Sequence, residues 1–95
     1  MKISYYAIFE YAPDGINIRV PDFPCCLTCA WSDEEAFKMA KDALSLTVHN
    51  MLPEQLPLPT PKEKIKINKN EKLVLISISL EIRNGLLFAA GVDEF

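Results

Sequence analysis

The sequence lacks the long apolar run of a membrane-spanning helix, which takes roughly 18 uninterrupted apolar residues, and it is poor in glycine. Residues 1–4, Met-Lys-Ile-Ser, contain no apolar core of a secretion signal. Gly15, Gly85 and Gly91 lie far apart, so no glycine-rich loop can cradle a phosphate. We therefore expect a cytoplasmic protein that has no membrane contact and binds no nucleotide cofactor.

Cysteine and histidine are too few for a convincing metal site. The chain has three cysteines, Cys25, Cys26 and Cys29, and one histidine, His49. A tetrahedral site usually takes about four ligands, and in an extended strand Cys26 and Cys29 point to opposite faces. His49 has no neighbouring serine or cysteine arranged for nucleophilic chemistry. We expect no metal and no cofactor, and we expect the thiols to pack as small buried hydrophobic groups.

Carboxylates are sparse in the N-terminal strands, which bears on nuclease chemistry. Glu10, Asp14 and Asp22 are the acidic residues of that region, whereas a two-metal nuclease needs several carboxylates that converge from strand ends to hold Mg²⁺. Turn and strand-edge roles explain these three residues better. We predict that the protein is not an enzyme, and we keep a vestigial Mg²⁺-dependent nuclease that uses Asp22 as the last-ranked alternative.

Positive charge is in the minority overall but is concentrated in one segment. The formal net charge is −3 and the pI is about 5.0, so the average field of the domain repels phosphate backbones and attracts basic proteins. Lysines nevertheless recur at positions 62, 64, 66, 69 and 72. Such a stretch contacts phosphates or, more commonly, forms a solvated face. A basic protein is the favoured partner, and RNA stays possible.

A chain of 95 residues supports only a thin core. A single core of this size supplies about 3–5 kcal/mol when no disulfide or metal reinforces it. The composition, 49% hydrophobic and 24% charged, is that of a folded globular domain. Because self-association would supply additional stability, we expect a homodimer or a larger oligomer.

The first third of the chain predicts three strands. Residues 3–11 carry apolar side chains on both parities, which is typical of a central strand covered on both faces. Pro13-Asp14-Gly15 is a turn in which proline presets φ and glycine accepts a positive φ. Residues 16–20 alternate apolar and polar side chains as a returning strand. Residues 25–31 form a third short strand.

A helix and a proline-rich segment follow. Ser32 and Glu35 have the spacing of a capping box, and the helix is predicted to run to about Met51. Small and apolar residues recur along it at helical spacing, at Ala36, Met39, Ala40, Ala43, Leu44, Thr47 and Val48. Four prolines between residues 53 and 61 then predict an extended linker.

The last third predicts further strands. Residues 64–68 form a possible short strand, and residues 73–83 alternate strongly, with apolar side chains on the even positions from 74 to 82. Asn84-Gly85 is a two-residue hairpin signal, because both residues tolerate the positive φ of a type I′ turn. Residues 86–90 are then predicted to pair back on the preceding strand.

Four apolar residues are the candidate partner-binding residues. Leu86, Leu87 and Phe88 would form an apolar edge strand, and such an edge promotes aggregation unless a neighbouring subunit or a partner covers it. Trp31, just before the helix, is either an interface anchor or a staple that packs at the helix entry.

Several short phrases, in this order, resemble the HicB-type antitoxin family over roughly the first half of the chain. They are Tyr6-Ala7-Ile8-Phe9-Glu10, Asp14-Gly15, Val20-Pro21-Asp22-Phe23-Pro24, Cys26-Leu27-Thr28 and Ser32-Asp33-Glu34-Glu35-Ala36. The resemblance implies an α+β fold, a small βββαβ partial ribonuclease-H-like sheet with one helix packed on it and a C-terminal strand or hairpin. One HicB-like domain would span residues 1–95, with a βββα core at 1–52, a linker at 53–61 and C-terminal strands at 62–95.

The same resemblance implies a function. A HicB-like antitoxin binds and neutralises a small basic mRNA-endonuclease toxin of the HicA type, and it carries no catalytic residue. Two stretches depart from the family pattern: Pro24-Cys25-Cys26 stands for Pro-Gly-Cys, and Ala30-Trp31 for Gly-Asp. Residues 62–95 alternate as strands rather than as paired helices, so direct DNA binding is not expected. The alternative is an orphan HicB-like module that binds another protein or RNA.

Overall fold

The computed structural model describes residues 1–90, and it confirms the α+β class and the order of the main elements. The strands are β1 (Lys2–Ala12), β2 (Gly15–Val20), β3 (Phe23–Ala30), β4 (Glu71–Arg83) and β5 (Leu86–Ala90), and the helix is α1 (Asp33–Val48). Short 3₁₀ turns occupy Pro53–Gln55 and Lys62–Lys64. The further detail of a ribonuclease-H-like relationship stays a prediction.

The strands form one antiparallel sheet in the order β3-β2-β1-β4-β5. β1 lies in the middle, and it pairs with β4 in one continuous register from Lys2↔Ser79 to Glu10↔Glu71. Two hairpins extend the sheet outward, β2 and β3 on one side and β5 on the other. The central position of β1 agrees with its apolar residues on both parities.

Two turns have the backbone that their residues predict. Gly15 adopts φ +139°, and a Cβ at this position would lie 3.0 Å from the carbonyl oxygen of Ala30. Asn84 and Gly85 have φ values of 53° and 80°, as the two central residues of a type I′ turn require. The predicted β4–β5 hairpin therefore forms.

The core lies between α1 and one face of the sheet. Ala36, Ala40 and Leu44 are fully buried, and the two alanines let the helix axis approach the strands closely. On the sheet side, the rings of Tyr5 and Phe23 meet edge to face with centroids 4.8 Å apart. This arrangement contributes about 0.5–1.5 kcal/mol beyond the area that the rings bury.

The proline-rich segment packs on the domain instead of hanging free. The Tyr5 hydroxyl donates to the carbonyl oxygen of Pro57 at 2.6 Å. The backbone N–H and the hydroxyl of Thr60 donate to the two carboxylate oxygens of Asp22 at 3.0 and 2.5 Å. Asp22 thus fastens this segment to the β2–β3 turn, which is the turn role that the sequence favoured for it.

Three local predictions were wrong. Residues 64–68 form no strand, because Lys62–Lys64 is a 3₁₀ turn and the residues that follow it stay mostly exposed. The helix ends at Val48 instead of Met51, since Asn50 adopts φ 66° and leaves the helical conformation. The strand before the helix ends at Ala30, so Trp31 lies outside it.

The chain itself pairs with the outer edge of β5 at Leu87. The Asn50 N–H donates to the Leu87 carbonyl oxygen at 2.8 Å, and the Leu87 N–H donates to the Met51 carbonyl oxygen at 2.9 Å. The Leu87 side chain points into the core and is fully buried. The sequence predicts that a neighbouring subunit or a partner covers this edge. At Leu87 no second chain is needed, because residues 50–51, just after the helix, already pair with it.

The sheet face opposite α1 carries its own buried residues. Ile8 is 3% exposed but lies outside the helix-facing core cluster. Near it, the Glu71 carboxylate, whose side chain is 2% exposed, lies 3.0 Å from the Arg19 guanidinium and accepts the Asn68 N–H at 2.8 Å. The hydrogen bond from the Asn68 N–H and the charge of Arg19 lower the Glu71 pKa below its usual value. Burial acts in the opposite direction but does not cancel this effect.

The Leu87→Ala variant tests whether the hairpin is part of the core. Removing a fully buried leucine side chain costs about 2–5 kcal/mol of unfolding free energy, whereas Leu86→Ala, at a half-buried position on the opposite face, costs clearly less. Urea unfolding followed by circular dichroism measures both. Equal stability losses for the two variants would contradict the placement of Leu87 in the core.

Glu71 makes stability depend on pH. Because its folded-state pKa is lowered, its stabilising effect is present above the unfolded value of about 4.3 and is lost as the pH falls through the lower folded value. We expect the Glu71→Gln variant to lose less stability than the wild type between neutral and acidic pH in urea unfolding. Glu81→Gln, at an exposed position, is the control and should keep the wild-type slope.

Candidate protein-binding surface

The junction between β3 and α1 is built by a capping arrangement. The Ser32 hydroxyl accepts the Glu35 N–H at 3.2 Å, as the sequence predicts. The Glu35 carboxylate accepts the Trp31 N–H at 2.7 Å instead of the Ser32 N–H that the simple capping box would use. The backbone of Trp31 is thereby held at the junction between β3 and α1.

Trp31 projects into solvent. Its side chain is 79% exposed, and its ring edge lies 3.7 Å from the position that a Cβ on Gly15 would occupy. A hydrophobic staple would bury the ring against the helix, so exposure favours the anchor interpretation. Its role in partner binding stays a prediction.

A cavity of about 220 Å³ opens beside Trp31, between the β1–β2 turn, the end of β3 and the start of α1. Two carboxylate residues and an indole line it, and the complete set is Asp14, Gly15, Ile16, Asn17, Cys29, Ala30, Trp31 and Glu35. Carboxylates bind a guanidinium or ammonium group, and an aromatic face attracts the same cations. The cavity therefore suits a basic side chain.

A polar cluster anchors the start of α1 to the sheet. The Tyr11 hydroxyl donates to the Asp33 carboxylate, and the Lys72 ammonium lies 3.8 Å from that carboxylate and 5.6 Å from the centre of the Tyr11 ring. Burial, followed by the hydrogen bond to Asp33, raises the Tyr11 pKa, although Lys72 opposes the rise. The negative charge of Asp33 is thus partly compensated by Lys72. Glu34 and Glu35 are the other acidic residues of the first turn of α1.

The four predicted binding residues do not meet at one site. Trp31 adjoins β3, whereas Leu86 and Phe88 lie on β5 at the far end of the strand order. Leu86 and Phe88 are half-buried, and the Phe88 ring packs edge to face on His49 with centroids 5.0 Å apart. Leu87 is in the core. Binding roles for these residues stay predictions, and Trp31 alone is strongly exposed.

Sequence reasoning missed several exposed residues on β3. Leu27 is 66% exposed, and Cys25 and Cys29 are exposed while Cys26 is buried, so the expectation of three buried thiols was right only for Cys26. Strand alternation was the available signal, since positions 25, 27 and 29 share one parity. Burial raises the pKa of the Cys26 thiol, which keeps it protonated.

Within residues 1–90, no cluster of three or more histidine, cysteine or acidic side chains is arranged to hold a metal ion. Over the same range, the only α-helix is too short and too polar to span a membrane. That the protein is not an enzyme stays a prediction.

The fold is similar to that of a chain in a toxin–antitoxin complex from Streptococcus pneumoniae. The TM-score is 0.73 at 19% sequence identity, and the alignment covers 83% of this chain and 70% of the other. No known family profile matches the sequence. No curated protein is detectably similar in sequence. The two chains share a fold, and the small sheet with one helix is therefore an architecture found in a toxin–antitoxin assembly.

Trp31 reports directly on this surface, because it is the only tryptophan in the chain. Since its side chain is 79% exposed, we expect emission near that of free tryptophan in water and strong quenching by iodide or acrylamide. Steady-state fluorescence of the free protein is the measurement. Blue-shifted emission with weak quenching would show that the ring is buried in solution.

Proposed function

We propose that this chain is an antitoxin-like protein that binds and neutralises a small basic toxin, an mRNA endonuclease of the HicA type. The proposal is supported by the fold similarity to a chain of a toxin–antitoxin complex and by the HicB-like phrases of the first half of the sequence. The product of a neighbouring reading frame is the expected toxin.

The acidic cavity beside Trp31 is the observation that carries the proposal. A toxin that cleaves mRNA must present cationic side chains to the phosphates. A guanidinium placed between Asp14, Glu35 and the Trp31 ring would gain both charge-assisted hydrogen bonds and a cation–π contact. An occupied cavity would hold that cation away from RNA, and this competition is a physical route to neutralisation.

Charge favours the antitoxin role over the toxin role for this chain. The net charge of −3 opposes RNA binding and steers basic proteins toward it. The first turn of α1 adds Asp33, Glu34 and Glu35 next to the exposed indole. A central aromatic anchor surrounded by charges complementary to the partner is typical of energetically important contacts in protein interfaces.

The lysine-rich segment supports the alternative function, an orphan HicB-like module that binds RNA or another protein. Lys62, Lys64, Lys66 and Lys69 are all exposed. Lys72 differs from them, because it lies against Tyr11 and Asp33. Tight, salt-sensitive binding of RNA by the purified protein, without binding of the neighbouring gene product, would favour this alternative.

Trp31→Ala should weaken toxin binding by at least about tenfold, since loss of an interface anchor costs more than about 1.4 kcal/mol. Glu35→Gln keeps an oxygen that can accept the Trp31 N–H but removes the charge, so it should slow association and reduce the dependence of affinity on salt. Calorimetry or biolayer interferometry with the purified toxin measures affinity, and growth rescue on co-expression measures neutralisation.

Leu58→Ala is the matched control for Trp31→Ala. Leu58 is 90% exposed in the proline-rich segment, so its loss should change neither affinity nor rescue. Unfolding curves for all three variants establish that the fold is intact. If the wild-type chain neither binds the neighbouring gene product nor rescues growth, the proposed function is wrong.

A further inference from the structure

The two edges of the sheet differ in how they are protected. The outer edge of β5 is paired with residues 50–51. β3 is the other edge strand, and among residues 1–90 no backbone hydrogen bond from another segment reaches Phe23–Ala30 from outside. An open strand edge is a template for pairing with another chain.

β3 has edge protection only at its start, where Pro24 lies and where the register with β2 shifts. Phe23–Ala30 reads Phe-Pro-Cys-Cys-Leu-Thr-Cys-Ala and contains no charged residue. Pro24, near the start of the strand, is its one blocking residue. Beyond it, Cys25, Leu27 and Cys29 are exposed. Natural edge strands normally carry outward-facing charges or bulges that prevent pairing with another chain. Residues 25–29 carry no charge, so they are suited to pair with a second strand.

The hydrogen-bond alternation shows which backbone groups face outward. Two-residue turns close the β1–β2 and β2–β3 hairpins, at Ala12↔Gly15 and at Val20↔Phe23. A pair that closes such a turn is hydrogen-bonded, and bonded and non-bonded pairs then alternate along the ladder. Counted from Gly15, the odd-numbered residues of β2 bond to β1, so the backbone groups of the even-numbered residues face β3. Thr28, opposite Ile18, therefore bonds to β2.

Leu27 and Cys29 occupy the alternate positions, so their N–H and C=O groups point away from β2. The register shift next to Val20 also leaves residues 24–26 without a partner in β2. The outer side of β3 thus offers backbone donors and acceptors centred on Leu27.

We propose that a second copy of this chain pairs with this edge, antiparallel to it and with the two-fold axis at Leu27. In that register Leu27 faces its own copy, and Cys25 of each chain faces Cys29 of the other. Pairing across a two-fold axis needs one self-complementary patch, and the run Cys-Cys-Leu-Thr-Cys is nearly palindromic in size and has no charge to oppose itself. The neutral strand offers a basic toxin no charge complementarity, whereas a second copy needs none.

Thiol crosslinking tests the register. Residues directly opposite have Cβ atoms about 4.5–5.5 Å apart, whereas Cys25 and Cys29 of one strand lie about 13 Å apart. With a bis-maleimide shorter than the latter distance, we expect the wild-type chain to give a covalent dimer. Cys25→Ser alone and Cys29→Ser alone should each stay uncrosslinked, and an equal mixture of the two should crosslink.

The mixing result is specific to the proposed pairing, because each half of the mixture supplies one of the two facing thiols. The double variant Cys25→Ser, Cys29→Ser controls for the buried Cys26 and should give no product. Crosslinking of Cys25→Ser to itself would place Cys29 opposite Cys29 and would overturn the proposed register.

Sedimentation equilibrium tests the interface without any cysteine change. Leu27→Lys places two like charges opposite each other at the axis and should convert a wild-type dimer to a monomer. Leu46→Lys, at a helix position that is 77% exposed compared with 66% for Leu27, is the matched control and should remain dimeric.

A wild-type chain that is monomeric at all concentrations, or a Leu27→Lys variant that stays dimeric, overturns the proposal. A monomeric wild-type chain that loses toxin binding on Leu27→Lys would assign this edge to the toxin instead. Dimerisation does not depend on the proposed antitoxin role, so the two proposals succeed or fail separately.

Discussion

The antiparallel pairing of β1 with β4 is the constraint on which the rest of the structure depends. Its register, from Lys2↔Ser79 to Glu10↔Glu71, joins segments about seventy residues apart. The chain between β3 and β4 must therefore travel across the sheet, and it does so as α1 and the proline-rich segment. Buried alanines keep the helix close to the strands. The start of α1 consequently lies beside the β1–β2 turn, where Trp31 and Glu35 meet Asp14.

The two edge strands of the sheet, β3 and β5, differ in whether the chain itself pairs with them. At β5 the chain uses its own residues 50–51 as a short pairing segment at Leu87, whose side chain is buried in the core. At β3 the connection to α1 leaves at once toward one face of the sheet, so nothing from residues 1–90 pairs with the outside of the strand. The sheet therefore has one edge that residues 50–51 protect at Leu87, and a second edge, β3, that no segment of residues 1–90 protects.

Electrostatics divides the surface into two regions. The first turn of α1 and the β1–β2 turn bring acidic side chains next to an exposed indole, whereas the segment before β4 carries four exposed lysines at positions 62, 64, 66 and 69. Lys72 joins the two regions through its contacts with Tyr11 and Asp33. The acidic region beside the indole and the exposed lysine segment support the two different functions proposed above.

The sequence by itself determined the local structure. Pro13-Asp14-Gly15, Ser32 as helix cap, Asn84-Gly85 and the alternation of residues 73–83 all have the predicted conformation, because backbone preference and side-chain period act over a few residues. Only the tertiary structure decided that Glu35 bonds to Trp31, that Leu87 is covered by residues 50–51 and that residues 64–68 form no strand. Burial and hydrogen bonding at these positions depend on which distant segments arrive beside them, and that depends on the energy of the whole packed sheet rather than on any local pattern.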